Sequence, residues 1–330
     1  MSEPSTKTVD HFVYLVAPGA LQETSKIWRD LGFTVVPGGK HADGLTENAL
    51  IAFADGAYIE LISFVHPLSH YPPDSPSYNA RKNHVWASKH PGGFIDFAFL
   101  GNTGTPSVAA TINARAARDG SGISYAGEVP GGRERPDGKV LQWLISAPIP
   151  DEHDKRGGGN GRGRVPFFCG DLTPRDLRVP QEPSETTHPN ASLGIAHLHL
   201  LASPDDVART AKQITTILGS SPLGSGPPSA SAVNTNTSSL PSPSSVRESV
   251  SGTSSVRWHV EALKGDGGAE DAILLELSAP GSKEEERWLG ERGAGIYRVK
   301  VRVKEETRYS AVGDAASASG VDGVRLVTKL

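Results

Sequence analysis

One order of elements recurs along this chain, and it limits the available folds more than any other feature. Residues 9–16 (VDHFVYLV) form an apolar, β-like run. A helix is predicted next, because Leu21, Ile27, Trp28 and Leu31 recur at near-helical spacing and Gly32 stands where a stop belongs. Three more strands are predicted at 33–36, 48–53 and 58–65, divided by the turn signals Pro37-Gly38-Gly39 and Asp55-Gly56. The order β, α, β, β, β then recurs. GGFIDFAFLG at 92–101 is followed by a small-residue helix at 106–119 that ends at Gly120, and by strands at 123–128, 140–145 and 165–169. A third pass opens with GIAHLHLLA at Gly194, continues through a helix at 204–218 and finishes with VRWHVEAL and AILLELSAP. A fourth starts with GAGIYRVKVRV and stops short. Repeats of one supersecondary unit bury their apolar faces by pairing, so the expectation is an α+β chain of tandem βαβββ modules.

At 330 residues and 37% hydrophobic content, the chain exceeds one ordinary domain. Two are predicted: 1–190, with modules at 9–66 and 92–172, and 191–330, with a second, partly degenerate pair. Residues 220–255 are dominated by Ser, Pro, Thr, Gly and Asn, too poor in apolar groups to offset the entropy of ordering, and are predicted to be a disordered insertion. The Gly/Arg tract at 155–164 (KRGGGNGRGR) is short and lacks aromatics, which fits a solvated connector better than a single-strand nucleic-acid site. With 33 basic against 37 acidic residues, no global field favours nucleic acid or an anionic membrane, so a small-molecule partner is expected. The single cysteine, Cys169, excludes an internal disulfide and a multi-cysteine zinc site. It also points to a reducing compartment. The first residues carry no signal-like apolar stretch, and no segment approaches the roughly 20 apolar residues of a membrane span. A cytoplasmic monomer or homodimer is the expectation.

Taken together, the tandem modules, VDHFVYLV, the turn Leu31-Gly32-Phe33, Pro37-Gly38-Gly39 and the YIEL of Tyr58 to Leu61 resemble the vicinal-oxygen-chelate superfamily, and within it the glyoxalase-like domain family. GGFIDFAFLG, PGGRERPDGKVLQW and His188-Pro189-Asn190 extend the resemblance over most of 9–200, and more loosely over 200–330. It implies modules paired into curved, cup-shaped mixed β-sheets with flanking helices, and metal ligands on the first and last strands of each module. The superfamily hosts lyases, isomerases, dioxygenases and binding proteins, so the resemblance speaks to architecture more than to reaction.

At those strand positions the first module supplies His11 and Glu60. Strand alternation puts His11 with Val13 and Leu15, and Glu60 with Tyr58 and Ile62. A carboxylate in so apolar a run is costly to bury unless compensated, by a divalent metal or by an arginine and hydrogen bonds; both stay open. The second module offers Asp96 at the first position and Gly170 at the last. The implied ligand set is His11, Glu60 and Asp96. Its oxygen-rich character suits manganese, iron(II) or magnesium better than zinc or nickel; His66, His84 and Asp171 are substitutes, and a metal-free site is the alternative. The third module repeats the pair as His197 and Glu276, but its partner position is Arg298, a permanent cation, so that half is expected to be structural or oligomer-forming.

The stretch from Pro130 to Trp143 sets Arg133 and Arg135 between Gly131-Gly132 and Pro136-Asp137-Gly138, which predicts a hairpin presenting guanidinium groups, followed by a strand carrying Gln142 and Trp143. Arg133, Arg135 and Trp143 are candidate substrate contacts. The competing reading pairs the arginines with Glu128 or Glu134 at the surface and puts the tryptophan in the core. Two function classes follow. One is a metal-assisted lyase or isomerase acting on a small carbonyl-containing metabolite, with Glu60 moving the proton. The other is a non-catalytic protein that binds or sequesters a small molecule in the same cup.

Overall fold

A computed structural model describes residues 3–152, 161–224, 255–265, 272–304 and 323–327. The first module comprises β1 (Val9–Val16), α1 (Leu21–Asp30), β2 (Val36–His41), β3 (Thr46–Ala52) and β4 (Tyr58–Phe64). Helix α2 (Pro76–Lys82) leads to the second: β5 (Gly93–Leu100), α3 (Val108–Asp119), β6 (Val129–Glu134), β7 (Val140–Ser146) and β8 (Phe167–Asp171). Short helices α4 (Arg175–Arg178) and α5 (Pro183–Thr186) connect to β9 (Ser192–Leu201), α6 (Pro204–Leu218), β10 (Val256–Val260), β11 (Ile273–Ser278), α7 (Lys283–Arg292), β12 (Gly295–Val303) and β13 (Val324–Val327).

The two N-terminal modules close into a barrel of order β1-β4-β3-β2-β6-β7-β8-β5. Strand β1 is buried along its whole length because it forms the seam, parallel to β4 on one side and antiparallel to β5 on the other. Both of its faces are covered, which is why it shows no clean polar alternation. Phe12, Tyr14 and Val16 pack outward into the principal core with Trp28 of α1 and Ile112 of α3. Val13 and Leu15 join the inner cluster with Trp86, Trp143 and Phe167.

Strands β2 and β6 run through the residues that read as turn signals, over Val36–His41 and Val129–Glu134 rather than 33–36 and 123–128. Both open with the same four residues, Val-Pro-Gly-Gly, and they close the barrel through two pairs, Lys40 with Glu134 and His41 with Arg133. The glycines are there for room. A Cβ on Gly38 would collide with the Asn48 side chain, one on Gly39 with the Glu134 carbonyl, and one on Gly131 with the Trp143 ring. A register shift between Pro37 and Gly39 bulges β2, whereas β6 runs against β7 without interruption. The bulge changes which side chains face inward, so His41 from β2 and Arg133 from β6 both line the interior, while Lys40 and Glu134 are exposed.

The second sheet has the order β10-β11-β9-β12-β13. It reproduces the middle of the barrel, β3-β4-β1-β5-β8, down to the register: His197 pairs with Leu274 and His199 with Glu276, as His11 does with Tyr58 and Val13 with Glu60. Among the described residues it stops at five strands and stays open. The principal core is shared, since Leu198, Leu200, Trp258, Leu275 and Val299 belong to the same cluster as Phe12 and Phe97. Helix α6 spans the predicted residues and packs on α3. Residues 225–254 of the predicted insertion and 155–160 of the Gly/Arg tract lie outside the described residues. The end of that tract departs from the expectation of a solvated connector, because Arg162 and Arg164 are buried. No described helix is long and apolar enough to cross a membrane.

The joint between the halves is built from His188-Pro189-Asn190. His188 Nδ1 accepts from the Thr34 amide (3.0 Å), and Asn190 Nδ2 donates to the Leu31 carbonyl (3.0 Å). Gly32 ends the turn after α1 at φ +83°, and a Cβ there would lie 2.8 Å from the Asn190 Cβ. Gly32→Ala is therefore expected to destabilise the protein by about 1–3 kcal/mol, from the left-handed backbone and the displaced contact together. Urea unfolding of the variant checks this; a midpoint equal to wild type would show that the joint yields freely.

Candidate functional site

The barrel encloses a cavity of about 640 Å³. At its polar end Glu60 stands between two imidazoles, with its Oε2 3.8 Å from His11 Nε2 and its Oε1 3.6 Å from His41 Nε2. Asn48 Nδ2 donates to Glu60 Oε1 (2.5 Å). The far nitrogen of each ring is held: His11 Nδ1 by Asp10 Oδ2 (2.7 Å) and His41 Nδ1 by the Thr46 hydroxyl (2.8 Å). Burial draws the His41 pKa down, with the Glu60 charge partly offsetting it, so this ring is neutral at physiological pH.

Asp10 fixes His11 in turn. Burial pushes its carboxyl up, but the guanidiniums of Arg178 and Arg175 outweigh that and hold it well below the usual carboxylate range. Arg178 donates to both Asp10 oxygens (3.0 and 3.3 Å) and to both Asp171 oxygens (2.5 and 2.9 Å), while Arg175 Nη1 lies 2.5 Å from Asp10 Oδ1. An ionised Asp10 accepts only, so His11 Nδ1 is the donor and, in the neutral ring, Nε2 presents its lone pair toward Glu60. Arg178 also donates to the Tyr58 hydroxyl (2.8 Å), whose ring stacks on His11 at 4.7 Å. Burial raises the Tyr58 pKa well above normal, so the phenol keeps its proton.

A second arginine site supports the opposite wall. Arg162 Nε donates to Asp96 Oδ2 (2.5 Å), and its guanidinium lies 4.2 Å from the Phe167 ring centroid. Trp86 Nε1 donates to the same Asp96 oxygen (2.8 Å), and the amides of Gly163 and Phe97 fill the other (both 3.1 Å). Trp86, Trp143 and Phe167 provide apolar walls, with His41 edge-on to Trp143 at 6.1 Å. Burial pushes the Cys169 thiol pKa up, so the cavity's cysteine is an inert lining group.

Two comparisons bear on this architecture. A family model described as "Glyoxalase-like domain" matches residues 9–218, well over half of the chain. The chain belongs to the glyoxalase-like domain family. Its fold is of the vicinal-oxygen-chelate type. Among solved structures, a hypothetical protein from Staphylococcus aureus superposes with a TM-score of 0.53 at 11% identity, over 91% of this chain and 92% of that one. A mutant of 4-hydroxymandelate synthase from Streptomyces coelicolor gives a TM-score of 0.48 at 14% identity, over 96% and 76% of the two chains. No protein of the curated set matches the chain.

Within this glyoxalase-like barrel the structure brings His11 and Glu60 together, and adds His41. Asp96 is not among the cavity-lining residues, and its oxygens are taken by Arg162, Trp86 and two amides, so it does not complete a ligand set with His11 and Glu60. As placed, no three His, Cys, Asp or Glu side chains among the described residues are close enough together to hold a metal ion; the donors nearest to doing so are His11 Nε2, His41 Nε2 and the Glu60 carboxylate, a two-histidine, one-carboxylate set. Gly170 has a packing reason: a Cβ there would lie 3.0 Å from the Asn102 carbonyl oxygen, where β8 meets the loop after β5. The two hairpin arginines part ways. Arg133 lines the cavity, whereas Arg135 donates to Asp137 (3.1 Å) and to the Leu177 carbonyl (3.0 Å) and is not among the lining residues. Trp143 lines the cavity. His66 and His70 stack at 3.7 Å outside the cavity lining, whereas His84 lines it and Asp171 serves Arg178. In the open sheet His197 Nε2 lies 3.0 Å from Glu276, which also accepts from Arg257 (2.8 Å).

Proposed function

We propose that this barrel interior is the active site of a lyase or isomerase that moves a proton next to the carbonyl of a small metabolite. The observation that carries the reading is Glu60, a buried carboxylate on a cavity wall with an imidazole Nε2 on either side. Glu60 takes the proton from the carbon beside the carbonyl, and the electron pair of the broken C–H bond passes to the carbonyl oxygen. The Tyr58 phenol, already accepting from Arg178, has its proton to give to that oxygen. His11 Nε2, oriented through Asp10, and the neutral His41 relay the proton to its new position. Trp86, Trp143 and Phe167 exclude water from the reacting end. The buried, unpaired Cys169 suits a reducing compartment such as the cytoplasm.

The second reading, a binder without turnover, is favoured by Asn48, whose short hydrogen bond competes for the Glu60 oxygen. One experiment separates the two. Solvent deuterium exchange at the carbon beside the carbonyl is followed by proton NMR for pyruvate, phenylpyruvate and dihydroxyacetone, with wild type and Glu60→Gln. Wild type is expected to accelerate exchange, and the variant to lose about 100-fold or more of that acceleration. Equal rates in the two proteins remove Glu60 from the mechanism. Absence of any acceleration by wild type leaves the binder.

A further inference from the structure

Charges around the cavity can be matched by contact. Asp10 and Asp171 engage Arg175 and Arg178, and Asp96 engages Arg162. Arg133, Glu60 and Asp43 remain, and Asp43 lies 4.0 Å from His84 Nε2. Arg133 is 4% exposed and lines the cavity, yet among the described residues no carboxylate lies within 4.0 Å of its guanidinium. Its hydrogen bond is from Nη2 to the Arg178 carbonyl (3.1 Å), an uncharged acceptor. Glu60 is within electrostatic reach but does not form an ion pair with it. A buried cation without a contacting counter-charge costs several kcal/mol, and the fold has avoided that cost elsewhere in this wall by pairing each arginine.

We propose that Arg133 seats the carboxylate of the ligand, and that the ligand is a 2-oxo or 2-hydroxy acid with an apolar body. Three placements support this. Arg133 pairs in register with His41 where β6 meets β2, so an anion on Arg133 lies beside the His11–Glu60–His41 group. A carboxylate held there puts the adjoining carbon, which bears the oxygen function, and the C–H to be broken (on that carbon in a 2-hydroxy acid, on the next one in a 2-oxo acid) next to the groups that move protons. Beyond it, Trp143, Trp86, Phe167, Ile145 and Pro130 provide a wall for an aromatic or branched side chain, in a cavity within the usual range for drug-sized ligands. Arg135 takes no part, because Asp137 and the Leu177 carbonyl occupy it. The choice of the adjoining carbon rests on the proton-transfer reading above; the seat for the carboxylate does not.

Titration calorimetry with phenylpyruvate, phenyllactate and the methyl ester of each tests the assignment on wild type, Arg133→Met, Arg133→Lys and Glu60→Gln. Wild type is expected to bind both acids at least about tenfold more tightly than their esters, the size of a lost charged hydrogen bond. Arg133→Met should bring acid and ester to parity and unfold at a temperature no lower than wild type, because it deletes an unpaired charge. Arg133→Lys, which keeps the charge but not the planar fork, should restore part of the preference and serves if the methionine variant does not fold. Glu60→Gln should keep the preference even where deuterium exchange is lost. Equal binding of acid and ester by wild type, no binding of any probe, or acid affinity within twofold of wild type in both Arg133 variants overturns the proposal. Acid-selective binding without exchange sinks the proton-transfer reading and leaves the Arg133 seat standing.

Discussion

Replacing Arg178 with methionine is expected to lower the thermal midpoint by on the order of 10 °C. The side chain is 3% exposed and holds three groups at once: Asp10, Asp171 and the Tyr58 hydroxyl. Removing it leaves fully buried Asp10 with Arg175 as its remaining cation, and half-strips Asp171. Breaking a buried ion pair from one side costs about 3–5 kcal/mol, because the partner's charge stays behind without its compensation. Arg135→Met is the control. It removes an arginine of equal size that is partly exposed and bound to Asp137, and such pairs contribute about 1 kcal/mol or less. Calorimetric scans of the two variants decide the matter, and a loss for Arg178→Met no greater than for Arg135→Met would mean that the network is not structural.

The second large effect is a loss of stability on mild acidification. Burial lowers the pKa of His84, His188 and His199 to about 4 each. In each case the folded chain resists a proton that the unfolded chain accepts near pH 6.5. The unfolded state therefore binds more protons between pH 6.5 and 4, so stability rises with pH across that window. The contribution of neutral histidine is complete above pH 6.5 and is lost as pH falls toward 4. For His188, 3% exposed, a shift of this size corresponds to roughly 3 kcal/mol. Depressed carboxylates such as Asp10 act in a lower window, since their loss begins only near the unfolded carboxylate pKa of about 4. Urea midpoints measured from pH 7 to 4.5 should fall steadily in wild type. His188→Gln keeps a donor and an acceptor for Ala52 and Thr34 without the titration, so its midpoint should fall less steeply. Identical slopes would assign the acid sensitivity elsewhere.

The modules were legible because burial writes them directly into the sequence: β1, α1, β4 and α6 lie where their apolar runs put them. His11 and Glu60 were equally legible, since a polar group inside such a run needs a reason. His41 was not. It sits six residues into a Val-Pro-Gly-Gly strand whose composition signals a turn, and a bulge decides that it, rather than Lys40, faces inward. The repeat of Val-Pro-Gly-Gly at 36 and 129 was the available sign that these stretches are equivalent strands. Arg175 and Arg178 were missed because their helix follows the second module and its charged sequence looks like solvent-facing surface. Asp10, an acid beside His11 in an apolar strand, was the clue that two cations had to come from somewhere. Asp96 misled for the converse reason: strand position alone cannot reveal that Arg162, from the end of a glycine-rich tract, takes up its oxygens.

A barrel made of two like halves would, if the likeness were complete, look the same to a ligand turned end for end. The bulged strand removes that ambiguity. One half contributes the imidazole and the carboxylate, the other contributes the guanidinium, and a molecule that enters has a head and a tail. If the proposed proton transfer takes place there, it reaches one face of a planar carbon and gives a product of a single handedness, and the bulge in β2, which turns His41 inward, is part of what sets that face.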